Sequence, residues 1–203
     1  MGLSSINKFT LCLVFFLCYN YFISKDMGFS DIKLGKDAPE IVNAVIEIPR
    51  GSHNKYEYDE EDHEIHLDRV LHSAVFFPTD YGFIPDTRSE DGDHLDVLVL
   101  MSEPTFPGCV MKVRPIGILD MEDESGIDWK VVAVAVKDPH AKEIKDIEDI
   151  EDHLKKEIKN FFEIYKTLEE GKWVKVKDWH GKDEALKRIT EAAEVYKKGS
   201  SEK

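Results

Sequence analysis

Between residues 41 and 136 the chain is written in short segments rich in β-branched residues, and this pattern restricts the fold more than any other feature. "IVNAVIEI" (41–48), "NKYEYD" (54–59), "EIHLDRV" (64–70), "LDVLVLM" (95–101), "CVMKVRPIGIL" (109–119) and "KVVAVAV" (130–136) are too short for helices and read as strands. Stretches rich in Pro, Gly and Asp, such as "PRGS", "YGFIPDT" and "SEPTFPG", separate them and read as turns. Many short strands with frequent turns favour a small barrel over alternating βαβ units. The end of the chain changes period. In residues 149–171, Leu154, Ile158, Phe161, Phe162, Tyr165 and Leu168 recur every three or four positions, and Gly171 is placed to cap the helix this predicts. A short strand over 172–179 follows. A second helix from about Asp183 sets Leu186, Ile189, Ala193 and Tyr196 on one face. The mixed-charge run at 142–157 reads as the solvated face of a helix. The expected class is therefore mainly β with α (α+β), a closed barrel with flanking C-terminal helices.

At 203 residues and 42% apolar, the chain can bury one sizeable core. Its 41 acidic and 27 basic residues leave a formal charge of −14, which argues against a nucleic-acid binder. Residues 1–26 stand apart. "FTLCLVFFLCYNYFI" (9–23) resembles the apolar core of an export signal, but it is short for a membrane span and lacks a small-residue cleavage site. Ile6 spoils an N-myristoylation pattern. Cys12 and Cys18 lie in this leader, leaving only Cys109 in the body, so no internal disulfide is available there. Met27 opens a polar domain start. The expectation is a leader or start-site artefact over 1–26 and a single domain over 27–203, cytoplasmic. The alternative is export or membrane tethering through residues 1–26.

Chemistry concentrates in "SEDGDHLDVL" (89–98), where Asp91, Asp93 and Asp96 crowd the mouth of an apolar strand. Like charges so close repel, and each costs free energy to desolvate. A calcium loop of the EF-hand type is excluded, because Leu95, Asp96 and Ser102 fall at its fifth, sixth and twelfth positions. A plain polar turn remains possible on these residues alone. A Mg²⁺ site is the third reading, since Mg²⁺ takes hard oxygen ligands together with substrate phosphates. In an extended segment Asp91 and Asp93 would project from the same side around Gly92, and Asp96 would join them if the chain turned first. A second acidic cluster, "DMEDESGIDWK" (120–130), supplies Asp120, Asp123, Glu124 and Asp128 in an expected turn. Lys55, Arg69, Lys130 and Lys166 lie near Tyr56, Tyr81 and Tyr165. Carboxylates, cations and phenols together describe a pocket for a polyanion carried by metal, and phosphate is the obvious one.

From about Leu34 to Tyr196 the chain resembles the soluble family I inorganic pyrophosphatases. The matching stretches include "VIEIPRGSHNKYEYD", "LDRVLHSAVFFPTDYGFIPDT", "DGDHLDVLVL", "RPIGILDMEDESGIDWKVVAV" and "FFEIYKTLEEGKWVKV". The D-x-D-x-x-D run before an apolar strand is that family's signature. The resemblance implies a five-stranded, OB-like barrel and hydrolysis of inorganic pyrophosphate to two orthophosphates. It further implies Asp91, Asp96 and Asp128 as direct Mg²⁺ ligands, with Asp123 serving a further ion and Glu47 and Glu57 reaching metals or their waters. Asp93 matches the general base. Lys55, Arg69, Tyr81, Lys130, Tyr165 and Lys166 match the groups that hold the phosphates. Mn²⁺ or Zn²⁺ could stand in for Mg²⁺, and by analogy the assembly is a homo-oligomer, a hexamer. The sequence departs from the pattern at His94, where the signature has Pro, and at Phe77, where many members have Tyr. The rival reading from another class, an OB-type binding module, has no use for so many acids in one pocket. A phosphatase for larger phosphorylated substrates is a third.

Overall fold

The computed structural model describes residues 28–201, so the leader and its two cysteines lie outside the described residues. Among the described residues there are eight strands and two α-helices: β1 (Val42–Ile48), β2 (Asn54–Tyr58), β3 (Ile65–Val70), β4 (Asp80–Ile84), β5 (Leu95–Leu100), β6 (Val110–Asp123), β7 (Gly126–Ala135), α1 (Asp152–Ile164), β8 (Val174–Gly181) and α2 (Lys182–Ser201). The main sheet runs β1-β4-β5-β7-β6-β8, and β1 also pairs with β6. That extra pairing closes β1, β4, β5, β7 and β6 into a five-stranded ring, with β8 added on the outer flank of β6. One strand makes the closure by changing partners. Val42 to Val45 of β1 pair with β6, whereas Val45 to Ile48 pair with β4. All pairings in the ring are antiparallel except β5 with β7.

Both faces of the ring are covered, which is why the strands read as near-continuous apolar runs. Along β5, Leu95, Val97 and Val99 enter a cluster shared with Ala185, Ile189 and Ala192 of α2. Leu98 and Leu100 enter another, shared with Ile158, Phe161 and Phe162 of α1 and with Tyr165 just after it. The spacing of these α1 residues gives the helix one apolar face, and burying that face supplies most of its stability. No helix among the described residues is long and apolar enough to cross a membrane.

Three expectations need correction. "YGFIPDT" is no simple turn, because Asp80 to Ile84 form β4, buried throughout and paired on both sides. Gly82 reads as a turn residue but serves close packing: a Cβ there would lie 1.9 Å from the Val45 carbonyl oxygen and 2.8 Å from Ile46 Cα. The first helix runs only from 152 to 164. Leu168 is 67% exposed and Gly171 belongs to a later turn, so neither extends nor caps it. Of the charge run at 142–157, only the part from Asp152 is helical. The earlier part is irregular chain with a short 3₁₀ turn at Ile147–Asp149.

The ring closure yields a direct test. Gly82→Ala must push β4 away from β1 and should cost at least about 3 kcal/mol, seen as a lower midpoint in thermal or urea unfolding. Gly199→Ala, which meets open space on α2, should be neutral or stabilising by up to about 1 kcal/mol. Equal stability of the two variants would contradict the close approach.

Candidate active site

Polar residues occupy the ends of the same strand faces that build the α1 side of the core. Asp96 precedes Leu98 and Leu100 by the strand period of two, Lys130 precedes Val132 and Val134, and Asp123 follows Leu119 and Met121. The register then gathers them. Asp96 lies opposite Lys130 in the parallel β5–β7 pair, and Asp128 lies opposite Met121 in the β6–β7 hairpin. The result is a groove of about 800 Å³ at one end of the ring. Every residue to which the resemblance assigns a role lines it: Glu47, Lys55, Glu57, Arg69, Tyr81, Asp91, Asp93, Asp96, Asp123, Asp128, Lys130, Tyr165 and Lys166.

Lys130 forms the centre of the floor. It is 5% exposed, donates to Asp128 Oδ1 at 2.7 Å and to Asp96 Oδ2, and lies 5.5 Å from the centroid of the Tyr81 ring. Burial alone would favour loss of its proton, but Asp128 and Asp96 hold its pKa well above the ordinary lysine value. Burial pushes Asp96 up, with Lys130 acting in the opposite sense. Beside them Glu47 is buried and accepts from the Tyr58 backbone N–H at 2.7 Å. Burial raises its carboxyl to about 8, against the effect of that hydrogen bond. The Tyr81 and Tyr165 phenols are also pushed up by burial.

Two cationic walls flank this floor. The β2–β3 hairpin sets Lys55 opposite Arg69. Between them Asp68 accepts from Lys55 at 3.2 Å and from Arg69 Nη1, while Arg69 Nε reaches Glu169 at 3.1 Å. Lys55 also pairs with Glu57. On the far wall Lys166, placed by the end of α1, reaches Asp123 at 2.8 Å and Glu124 at 3.4 Å. Lys172 lies 2.8 Å from Glu124. Burial would raise Glu124, but its bonds to Lys172, the backbone and Lys166 hold it at about 2.

The acidic turn forms the rim. Asp91 and Asp93 do not lie in extended chain as expected. Gly92 adopts a φ of +95°, and Asp91 Oδ1 accepts from the Asp93 N–H at 3.0 Å, folding the segment into a turn before β5. Burial, then Asp91 and Glu60, raise the Asp93 carboxyl. Asp120, grouped with the second cluster from sequence, lies away from the groove, with Oδ1 3.8 Å from Lys177. Phe77 sits in the core against Tyr81 and Phe161. The sequence reading missed Asp68, Lys172 and Glu60, all lining the groove, and Glu169, which holds Arg69. The cross-strand pairing of Lys55 with Arg69 was the signal for Asp68, and it requires the hairpin register.

The donor set suits a hard divalent cation. Carboxylate oxygens dominate, no cysteine lines the groove, and Glu47 and Asp96 are pushed towards protonation by burial. The groove carboxylates lean on Lys130, Lys166 and Lys55. Among the described residues, the one trio with ligand atoms within 4.8 Å of each other is the exposed Asp62, Glu64 and His66 at the hairpin end.

Comparison with known proteins agrees with this geometry. Residues 44–197 match the family described as Inorganic pyrophosphatase. The inorganic pyrophosphatase of Aquifex pyrophilus is 49% identical over 175 residues, 85% of this chain and 99% of that protein. That of Nanoarchaeum equitans is 55% identical over 159 residues, 77% and 98% of the two chains. The crystal structure of the Thermus thermophilus inorganic pyrophosphatase superposes with a TM-score of 0.81 at 51% identity, covering 82% of this chain and 97% of that one. With a closed five-stranded ring, a carboxylate floor between cationic walls and about half of the aligned residues shared with such relatives, the chain belongs to the inorganic pyrophosphatase family.

Proposed function

We propose that this groove hydrolyses inorganic pyrophosphate to two orthophosphates with Mg²⁺ held by Asp91, Asp96, Asp128 and Asp123, assisted by Glu47 and Glu57. The observation that carries the reading is one small groove combining a carboxylate floor with cationic walls, a layout for an anion that arrives with its own cations. Bound there, divalent ions supply charge neutralisation and acidify a water at neutral pH. Asp93, on the groove rim beside these carboxylates, would accept a proton from the attacking water. The water oxygen forms the new P–O bond while the bridging P–O bond breaks, its electron pair leaving on the second phosphate. Lys55, Arg69, Lys130 and Lys166 bind phosphate oxygens and stabilise that departing charge, and the Tyr81 and Tyr165 hydroxyls orient them. Their high pKa values keep both phenols protonated as donors. We place this activity in the cytoplasm, in a homo-oligomer, with residues 27–203 as one catalytic domain.

Phosphate release from pyrophosphate tests the reading. Wild-type protein should release phosphate only with a divalent ion present. Asp93→Asn should lose at least about 100-fold in kcat while binding Mg²⁺ in calorimetry much as before. Near-wild-type turnover at neutral pH would remove Asp93 as the base.

The cationic walls predict a different signature. Arg69→Ala and Lys166→Ala should each lower kcat/KM by about 10- to 100-fold, while Mg²⁺ binding without pyrophosphate stays unchanged. Loss of that metal binding would show the two cations to be structural.

A further inference from the structure

Two parts of the rim lie outside the ring. The Asp91–Asp93 turn is exposed, and its internal backbone bonds are Ser89 N to Asp93 O at 2.8 Å and Gly92 N to Ser89 O at 3.2 Å. The β2–β3 hairpin forms a two-stranded sheet of its own. The proposed reaction needs these parts in fixed relation, because one carries Asp93 and the other carries Lys55 and Arg69.

A side-chain bridge joins them across the mouth of the groove. Glu60, in the hairpin turn, receives Arg88 Nη1 on Oε1 at 2.8 Å and Nη2 on Oε2 at 3.1 Å, a two-pronged pair. Arg88 Nη1 also donates to the Gly92 carbonyl at 2.6 Å, between Asp91 and Asp93. His94 Nε2 lies 3.1 Å from Glu60 Oε1, and Nδ1 lies 2.9 Å from the Thr87 carbonyl. The His94 ring stacks on Phe83 of β4 at 4.9 Å and 11°. The Arg88 backbone N–H donates to Ala192 O of α2 at 3.0 Å, and its guanidinium lies 5.5 Å from the Tyr196 ring centre. The turn is thus anchored to α2 and β4 on one side and tied to the hairpin on the other. A proline at position 94 could make neither of the histidine's ring-nitrogen contacts.

We propose that Glu60, Arg88 and His94 form a positioning clamp that locks the Asp91–Asp93 turn to the β2–β3 hairpin, fixing the water-activating carboxylate relative to the phosphate-binding cations. None of the three is a catalytic residue; each acts through Asp93. Exposed ion pairs contribute little to stability, so the clamp's effect belongs in the rate. Displacing a reacting group by about 1 Å can cost up to about 100-fold.

The inference rests on the proposed hydrolysis, and the test separates the two. Glu60→Ala, Glu60→Gln and Arg88→Ala are made in the full chain, alone and with Asp93→Asn, and kcat, KM and the thermal midpoint are measured with saturating Mg²⁺. With Asp93 present, each alanine variant should lose about tenfold or more in kcat, Glu60→Gln should lose less, and KM should move by less than about threefold. Glu60→Ala with Arg88→Ala should be no worse than either alone, since they break one clamp. In the Asp93→Asn background the same substitutions should cost a clearly smaller fraction of the residual rate, since only the placing of Asp91 against the hairpin cations is then left to lose. Wild-type turnover combined with an unaltered kcat in Glu60→Ala would overturn the clamp and leave the hydrolysis standing. An equal fractional loss with and without Asp93 would also overturn it. No wild-type turnover at all would overturn both.

Discussion

Lys130 lies between Asp96 and Asp128, and the rest of the groove is organised around that ammonium group. A buried carboxylate pair with no cation between its members would protonate or drive its strands apart. The β5–β7 register sets Asp96 and Lys130 side by side, and Asp128 follows two residues earlier on the Lys130 strand. The closed ring therefore dictates the electrostatics: β5, β7 and β6 bring the floor together, and β1 adds Glu47 at the edge where the hairpin attaches. A one-residue slip at any of these pairings would turn the carboxylates into the α2-side core.

The charges form a graded system. At the floor one lysine faces several acids, and burial raises Glu47 and Asp96. On the walls the two signs are nearly matched, with Lys55, Arg69, Lys166 and Lys172 each engaged by a carboxylate. A cation bound at the floor relieves acid against acid, and an anion bound between the walls replaces carboxylates that are already paired. A chain with a formal charge of −14 can take up a polyanion because the acid surplus is met by ions that travel with it.

Much of this was legible in sequence, for physical reasons that differ by element. β5 and β7 show as apolar runs because both their faces are covered, and Asp96 and Lys130 stand out as the polar positions that end those runs. The α1 stripe shows because helical period needs only local information. β4 did not show, since Gly82 and Pro85 carry turn chemistry, and only the passage of β1 within contact of Gly82 explains the glycine. Leu168 fits the helical period yet lies beyond the end of α1, where the chain turns to bring Lys172 and Trp173 against Glu124. Asp68, Glu60 and Arg88 were invisible because their partners lie across a hairpin or in another element. Composition and spacing carry no record of such pairings.

The ring preassembles a carboxylate floor whose mutual repulsion a bound divalent cation would relieve. Thermal unfolding of the full chain against Mg²⁺ concentration tests it most directly, at constant ionic strength and without pyrophosphate. A ligand that binds only the folded state raises stability by about 2.7 kcal/mol at a hundredfold excess over its Kd. For a chain of this size that is a rise of roughly 5–10 °C in the midpoint. That rise is expected in the wild-type protein, with a much smaller one in Asp96→Asn. A wild-type midpoint that Mg²⁺ leaves unmoved, or an equal rise in both proteins, would contradict it.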